Sequence, residues 1–193
     1  MWDNHEFSWR GWQSLQKFDV TSRPAQTRKV AANQTWFEYQ PARVSKPSGP
    51  SLDSFDPPVV RDTPVARFDE HGLGTEPNNL TAIRSLRGYR ALRFGKNVEL
   101  MVTDQRSYRS EDPTDRDEFA HFSTADFPKM FDENAQEILD AGRTYNGNRP
   151  PLTIRFGGVD VPNYQKDAPP QTILGKEQKQ WFLQRLKGST ATW

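Results

Sequence analysis

Proline is the feature of this sequence that most restricts its fold. The 193-residue chain contains fifteen prolines, and seven of them fall between residues 40 and 80. Because proline has no backbone N–H and a fixed φ, each one tends to end a helix or to exclude a central strand. We therefore predict short regular elements joined by long loops, with residues 40–80 forming an irregular excursion that is functional or docked on the surface.

Composition and charge exclude several classes of protein. Without cysteine, the chain has neither disulfides nor thiolate metal sites. Lys and Arg total 26 against 25 Asp and Glu, and the signs alternate along the chain, which argues against binding to duplex nucleic acid. No segment has the length and hydrophobicity of a membrane span, and the N-terminus lacks the pattern of a signal peptide. A small anionic substrate stays compatible with this composition, because it needs only a local positive site.

Periodic segments predict a fold of the α/β class. Helical spacing extends from Gln26 to Tyr39, from about Asp132 to Tyr145, and over residues 174–188. Leu152–Phe156 is the best candidate for a strand in the second half of the chain. A mixed charged stretch at 110–118 is typical of a solvated loop.

Residues 89–103 predict a β-hairpin with a turn at Gly95–Asn97. Its second strand, Val98–Thr103, is nearly continuously apolar, which suits the interior of a sheet covered on both sides by other layers. In open α/β sheets, the residues that follow such a strand tend to line a ligand crevice. We therefore expect residues 104–109 to contribute to a site.

Four consecutive residues near the N-terminus carry side chains suited to metal binding and proton transfer: Asp3, Asn4, His5 and Glu6. They can all face one point only on a tight loop. Phosphoester hydrolysis needs groups that neutralise phosphate oxygens, generate a hydroxide and protonate the leaving oxygen. Two metal ions handle the first two tasks, and a histidine held by a carboxylate can perform the third. The structural alternative is an ordinary polar turn, in which Asn4 tolerates left-handed geometry.

Three motifs resemble those of alkaline phosphatase D-like enzymes. Trp2–Glu6 is similar to the family's Trp-Asp-Asp/Asn-His-Glu motif. Tyr89–Arg109, which ends in Thr103–Arg109, is similar to the family's strand followed by Asp-x-Arg-x-Tyr-Arg, and Leu174–Leu183 resembles its Leu-Gly-x-x-Gln-x-x-Trp-Leu/Phe-Leu helix. The motifs occur in the family's order and at roughly its spacing, and together they span almost the whole chain.

The resemblance implies a calcineurin-like four-layer α/β sandwich with a two-metal site, holding iron and calcium, that hydrolyses phosphomonoesters or phosphodiesters. The implied location is periplasmic or secreted. By position, Asn4 would be a metal ligand and Asp3 would support the metal site. His5 would contact the phosphate and assist the leaving oxygen, and Glu6 would orient His5.

Asp104, Arg106 and Tyr108 are the predicted substrate-binding residues of the second motif. Arginine suits bidentate contact with phosphate. The alternative for all three is a salt-bridged end of a strand, with Tyr108 packing in the core.

Several motifs of the family are missing from this sequence. The upstream Asp-x-His-like and Gly-Asp motifs, which supply most ligands of the first metal, and the downstream Gly-Asp-x-His segment have no counterpart. We therefore expect residues 1–193 to form a single incomplete metallophosphatase domain, truncated at both ends. By itself this fragment should be metal-free and nearly inactive.

A second hypothesis belongs to another class: a non-catalytic exported module that binds carbohydrate or protein. In that case Trp9, Trp12 and Trp36 would form a binding platform, although large aromatic residues more often belong to the core. His71, in Asp69–Gly72, could bind a metal but is more typical of an exposed turn.

Overall fold

The computed structural model describes residues 7–18, 21–40, 54–123 and 132–192. Within these ranges the chain is a mixed α/β structure with three two-stranded antiparallel sheets. The strands are β1 (Leu15–Phe18), β2 (Thr21–Pro24), β3 (Arg90–Phe94), β4 (Val98–Val102), β5 (Thr153–Phe156) and β6 (Val159–Pro162). The helices are α1 (Gln26–Tyr39), α2 (Pro77–Arg84), α3 (Glu133–Ala141), the single turn α4 (Tyr145–Asn148) and α5 (Gly175–Gly188).

The long predicted helices and the 89–103 hairpin are confirmed. Helix α3 begins where Asp132 caps it, because the Asp132 carboxylate accepts a hydrogen bond from the N–H of Ala135 at 2.8 Å. It ends at Gly142, whose φ of +52° suits glycine. None of the helices in the described ranges is long and apolar enough to cross a membrane.

Two hydrophobic clusters hold the described residues together. One joins α3 to the β5–β6 hairpin and to the turn before residue 123, through Phe119, Phe122, Ala135, Ile138, Leu139, Ile154 and Val161. The other is smaller and joins α2 to the second motif. It contains Ile83, Tyr89 and Tyr108, with Trp181 of α5 packed against it.

The β3–β4 hairpin is more exposed than its sequence predicts. Phe94 is 59% exposed and Leu100 is 49% exposed, and within the described residues no third strand pairs with the hairpin. The continuous apolar run of β4 predicts burial on both faces, and that prediction is wrong for this structure. Glu99 instead ties the hairpin to α5 through Arg185 at 2.5 Å. The layered calcineurin-like sandwich is thus not confirmed.

The described part of the proline-rich excursion is docked on α1. The carboxylate of Asp62 accepts hydrogen bonds from the N–H and the hydroxyl of Thr27, both at 2.9 Å. One residue further on, Thr63 exchanges two hydrogen bonds with the buried amide of Gln26. Side-chain contacts therefore replace regular structure in fixing this segment, as proline-rich sequence requires.

The charged stretch at 110–118 is not simply a solvated loop. Asp115 is buried and forms an ion pair with Arg10, and its carbonyl oxygen accepts a hydrogen bond from Lys17 at 3.0 Å. Lys17 also lies 3.4 Å from Glu111. The prediction failed because these partners lie about 100 residues apart in sequence, where local charge alternation carries no information.

Candidate functional site

Three of the seven predicted site residues lie in the described part of the chain. Asp3, Asn4, His5 and Glu6 lie outside the described residues, so their assigned roles stay predictions. Asp104, Arg106 and Tyr108 all lie on one turn, residues 104–109, that follows β4. We call this segment the motif turn.

Asp104 shapes the motif turn with its own carboxylate. The side chain is fully buried, and Oδ1 accepts hydrogen bonds from the N–H groups of Arg106 and Ser107, each at 2.9 Å. Oδ2 accepts a hydrogen bond from the Ser107 hydroxyl at 2.6 Å. A carboxylate engaged in this way stabilises a local turn. These contacts favour the structural interpretation of Asp104, and its predicted contact with substrate remains a prediction.

Gln178 of α5 clamps the backbone of the same aspartate. Its Oε1 accepts a hydrogen bond from the Asp104 N–H at 2.6 Å, and its Nε2 donates to the Asp104 carbonyl oxygen at 2.7 Å. The amide thus takes the place of a neighbouring β-strand at the end of β4. Because Asp104 and Gln178 are both fully buried, neither backbone group of Asp104 has water as an alternative partner.

Gly175 allows α5 to approach Tyr108. Its φ is +67°, and a Cβ at this position would lie 3.0 Å from both the Cβ and the carbonyl oxygen of Tyr108. Tyr108 itself is buried, with its ring edge-on to Tyr89 at a centroid distance of 5.8 Å. Burial, and to a lesser extent the charge of Asp104, raises the pKa of Tyr108 above its ordinary value. The phenol therefore stays neutral and packs in the core.

Gln13 ties the motif turn to the segment that follows the Trp2–Glu6 motif. Its backbone N–H donates to the Arg106 carbonyl oxygen at 2.8 Å, and its side-chain amide donates to the Arg109 carbonyl oxygen at 3.1 Å. Its other side-chain hydrogen bonds are to Gly72, Gly74 and Asn79. Gln13 is fully buried and links three segments that are distant in sequence.

Lys29 of α1 brings a buried positive charge to the same region. The side chain is completely buried, and its ammonium lies 4.5 Å from the centroid of the Phe7 ring. Burial lowers the pKa of Lys29 to about 8, and the Asp104 carboxylate opposes part of that shift. Phe7 directly follows Glu6 in the chain. Lys29 therefore packs against the first described residue of the chain and interacts electrostatically with Asp104.

A cleft of about 830 Å³ opens at the end of the motif turn, where Arg109 forms part of its wall. Lys179, Phe182 and Leu183 of α5 line the same space, so cationic and apolar groups face each other across it. The Arg109 guanidinium lies 3.6 Å from Asp112, which partly compensates its charge. A cleft of this volume is large enough for a small organic ligand.

Two of the remaining candidates take structural roles. Trp12 is only 5% exposed and stacks on Phe68 at 5.9 Å, so it belongs to the interior and weakens the case for a three-tryptophan platform. The backbone N–H of His71 donates to the Asp69 carboxylate at 2.8 Å, within the predicted turn. Among the described residues, no three His, Asp or Glu side chains come together as a metal site.

Sequence reasoning missed Gln13 and Lys29 as parts of this region. Neither lies in a recognised motif, and the residues of the motif turn with which each interacts lie more than 70 residues away in the sequence. Gln178 is different, because it occupies the glutamine of the third motif and so could have been assigned. Gly175 and Gln178 lie three residues apart, which places them on one face of α5. This spacing in the motif indicates that both residues contact the same neighbouring segment.

The second and third motifs therefore meet at the motif turn, where Gln178 bonds to the backbone of Asp104, and this agrees with the comparison against known families. The model of the PhoD-like phosphatase family matches residues 1–193, the entire chain. The chain belongs to the PhoD-like phosphatase family, which confirms the resemblance found in the sequence and supports a phosphatase-type, hydrolytic function. Neither the curated proteins nor the solved structures gave a match.

Proposed function

We propose that this chain carries one corner of the active site of a metal-dependent phosphoesterase of the alkaline phosphatase D type. The observation that supports the proposal best is the convergence on the motif turn. Gln178 holds this turn from α5, and Gln13 holds it from the segment that continues the Trp2–Glu6 motif. Family membership makes a phosphate ester the expected substrate.

His5, Glu6 and Arg106 each have a distinct task in this proposal. His5 contacts the phosphate and gives a proton to the leaving oxygen, and Glu6 holds the histidine ring in position. Arg106 binds phosphate oxygens, for which a guanidinium is well suited. Its backbone is already fixed on both sides, by Asp104 at its N–H and by Gln13 at its carbonyl oxygen. Such fixation lowers the entropy cost of positioning the side chain.

Metal ions belong to the proposal through residues 3–6. Asn4 would donate a side-chain oxygen and Asp3 would support the site. When bound, two metals, iron and calcium by family resemblance, would polarise the phosphate and supply a hydroxide. The remaining ligands would come from the family motifs that have no counterpart in this sequence. In the whole enzyme we propose the four-layer calcineurin-like sandwich, working in the periplasm or outside the cell.

The proposal covers both phosphomonoesters and phosphodiesters. The cleft beside Arg109 offers space for the organic part of an ester, with apolar walls at Phe182 and Leu183 and the cation of Lys179. A larger leaving group would gain contacts there that a simple chromogenic ester does not make.

The test compares the chain with the longest open reading frame that contains it, using a chromogenic phosphomonoester and a chromogenic phosphodiester with iron and calcium supplied. The longer protein should turn over substrate, whereas residues 1–193 alone should bind little metal and show negligible activity. Stoichiometric metal with turnover by residues 1–193 would refute the fragment hypothesis.

The role of His5 is tested in the same active protein. His5→Ala should lower kcat by about 100-fold or more, the usual contribution of a positioned general acid. His121→Ala is the matched control, because His121 is exposed, and it should retain full activity. Equal activity of His5→Ala and His121→Ala would exclude His5 from the chemistry and with it the proposed site.

A further inference from the structure

The cleft of about 830 Å³ beside the motif turn is lined by two helices, and we call it the α3–α5 cleft. From α3 it is lined by Gln136 and Asp140, which lie four residues apart on one face of the helix. From α5 it is lined by Lys179, Phe182 and Leu183, which also share one face. A cavity of this volume accommodates a small organic molecule, and such a molecule can contact both helices.

Backbone hydrogen bonds fix the walls of the α3–α5 cleft relative to each other. Gln171 donates its N–H to the carbonyl oxygen of Asp140 in α3 at 2.7 Å. The next residue, Thr172, accepts a hydrogen bond from the N–H of Ser110 at 2.9 Å. Its hydroxyl accepts another from the N–H of Gly175, at the start of α5, also at 2.9 Å. The cleft is therefore preformed, and a preformed site avoids the entropy cost of ordering its walls when a ligand binds.

The carboxylate of Asp140 lacks a positive group beside it. The side chain is half-buried, and in the part of the chain that the structure describes its carboxylate has a hydrogen bond with Gln136 but no ion pair. Burial raises the pKa of Asp140, and the negative charge of Asp112 adds to this shift, whereas the Gln136 hydrogen bond opposes it. An ammonium group placed in the cleft would compensate both the burial and the neighbouring negative charge.

Lys179 gives the cleft a second uncompensated charge. It is exposed, and within the described ranges it forms no hydrogen bond or ion pair. Arg109 and Asp112, the other two charged residues of the lining, pair with each other at 3.6 Å. The cleft therefore offers one negative group on α3 and one positive group on α5, and these two groups do not neutralise each other.

These two charges discriminate among ligands. A purely anionic molecule is repelled by Asp140 and a purely cationic one by Lys179, so each gains one ion pair at the expense of an unfavourable contact. A zwitterion satisfies both groups at once. Leu174, Phe182 and Leu183 give the same lining apolar surface, and Leu183 is 51% exposed. An apolar body on the ligand would remove this surface from water.

We propose that the α3–α5 cleft binds a zwitterionic organic molecule with an apolar body, the chemistry of an amino acid with a large apolar side chain. Asp140 accepts hydrogen bonds from its ammonium group, Lys179 donates to its carboxylate, and Phe182 and Leu183 pack on the apolar body. The inference goes beyond the proposed function, because it uses none of the seven predicted site residues and requires no phosphate.

The test is an NMR titration of residues 1–193 at neutral pH with three probes that share a phenyl ring. They are phenylalanine, 3-phenylpropionate, which lacks the ammonium, and phenethylamine, which lacks the carboxylate. A hydrogen bond between charged groups contributes about tenfold to affinity when partly buried and about threefold when exposed. We therefore expect phenylalanine to bind about tenfold more tightly than 3-phenylpropionate and about threefold more tightly than phenethylamine, with shifts at the cleft residues. Equal affinity for the three probes, or no shifts at the cleft with phenylalanine, would overturn the inference.

Two variants assign the charges of the ligand to the two helices. Asp140→Asn should abolish the preference for phenylalanine over 3-phenylpropionate, and Lys179→Met should abolish the preference over phenethylamine. The matched controls are Glu137→Gln on α3 and Lys187→Met on α5, because both side chains are exposed and neither lines the cleft. These controls should keep both preferences. Preferences that persist in Asp140→Asn and Lys179→Met would place the probes elsewhere and overturn the inference.

A second measurement, on wild-type protein, covers the case in which a variant does not fold. The side-chain carboxyl of Asp140 can be titrated by NMR with and without phenylalanine. A bound ammonium favours the charged carboxylate, so phenylalanine should lower the pKa of Asp140, whereas 3-phenylpropionate should not. An Asp140 titration that saturating phenylalanine leaves unchanged would overturn the inference.

Discussion

Replacing Gln178 by leucine removes the clamp on the motif turn while nearly keeping the side-chain volume. The N–H and the carbonyl oxygen of Asp104 would each lose their hydrogen bond to the Gln178 amide. A buried backbone group left without a partner costs about 1–3 kcal/mol, so the two together cost about 2–6 kcal/mol. Additional apolar burial by leucine offsets about 1 kcal/mol of this. We therefore expect Gln178→Leu to lower the free energy of unfolding by several kcal/mol, a large part of the about 5–15 kcal/mol of a typical domain.

The assay is urea unfolding followed by tryptophan fluorescence and circular dichroism, with Gln180→Leu as the matched control. Gln180 lies on the same helix but is exposed, so its replacement should change stability by no more than about 0.5 kcal/mol. Gln178→Glu provides a second comparison, because it keeps an acceptor for the Asp104 N–H but turns a carboxylate toward the Asp104 carbonyl oxygen. If Gln178→Leu and Gln180→Leu unfold at the same urea concentration, the clamp does not hold the motif turn.

Two further predictions concern Gly175 and Lys29. Gly175→Ala should lower the free energy of unfolding by about 1–3 kcal/mol, because its φ is +67° and the new Cβ would press on Tyr108. Gly188→Ala is the control and should leave stability unchanged, because a Cβ there meets open space. Equal urea midpoints for the two variants would contradict the packing described. Burial lowers the pKa of Lys29 to about 8 in the folded chain, from an ordinary value of 10.5. Between these two pH values the unfolded state binds more protons than the folded state. The free energy of unfolding should therefore rise with pH from about 8 to about 10.5. Urea midpoints across this range should show the rise in wild type and lack that component in Lys29→Met; parallel pH profiles would contradict a buried, charged Lys29.

Local signals predicted much of the fold. Helices α1 and α5 follow from apolar spacing and from the proline and glycine near their ends, and the β3–β4 hairpin follows from alternation around Gly95. The β1–β2 hairpin was missed, since its strands have four residues each and alternate weakly. The burial of β4 was also predicted wrongly, because a run of apolar residues reports hydrophobicity and not which neighbours cover it.

The sequence predicted only those residues of the candidate site that belong to a family motif. They identify the motif turn, but the contacts that fix it come from residues distant in sequence, Gln13 and Gln178. Asp104 illustrates the difference: its type and place suggest contact with a substrate, whereas its carboxylate in the structure accepts hydrogen bonds from the turn itself. Long-range partners of this kind leave no periodic pattern in a single sequence.

The central claim is that residues 3–6 and the motif turn form one phosphate site. A crystal structure of this chain, or of a longer protein containing it, grown with phosphate tests it most directly. The account predicts one phosphate contacted by both the His5 imidazole and the Arg106 guanidinium. A structure in which His5 and Arg106 face different surfaces, with no anion between them, would contradict the claim.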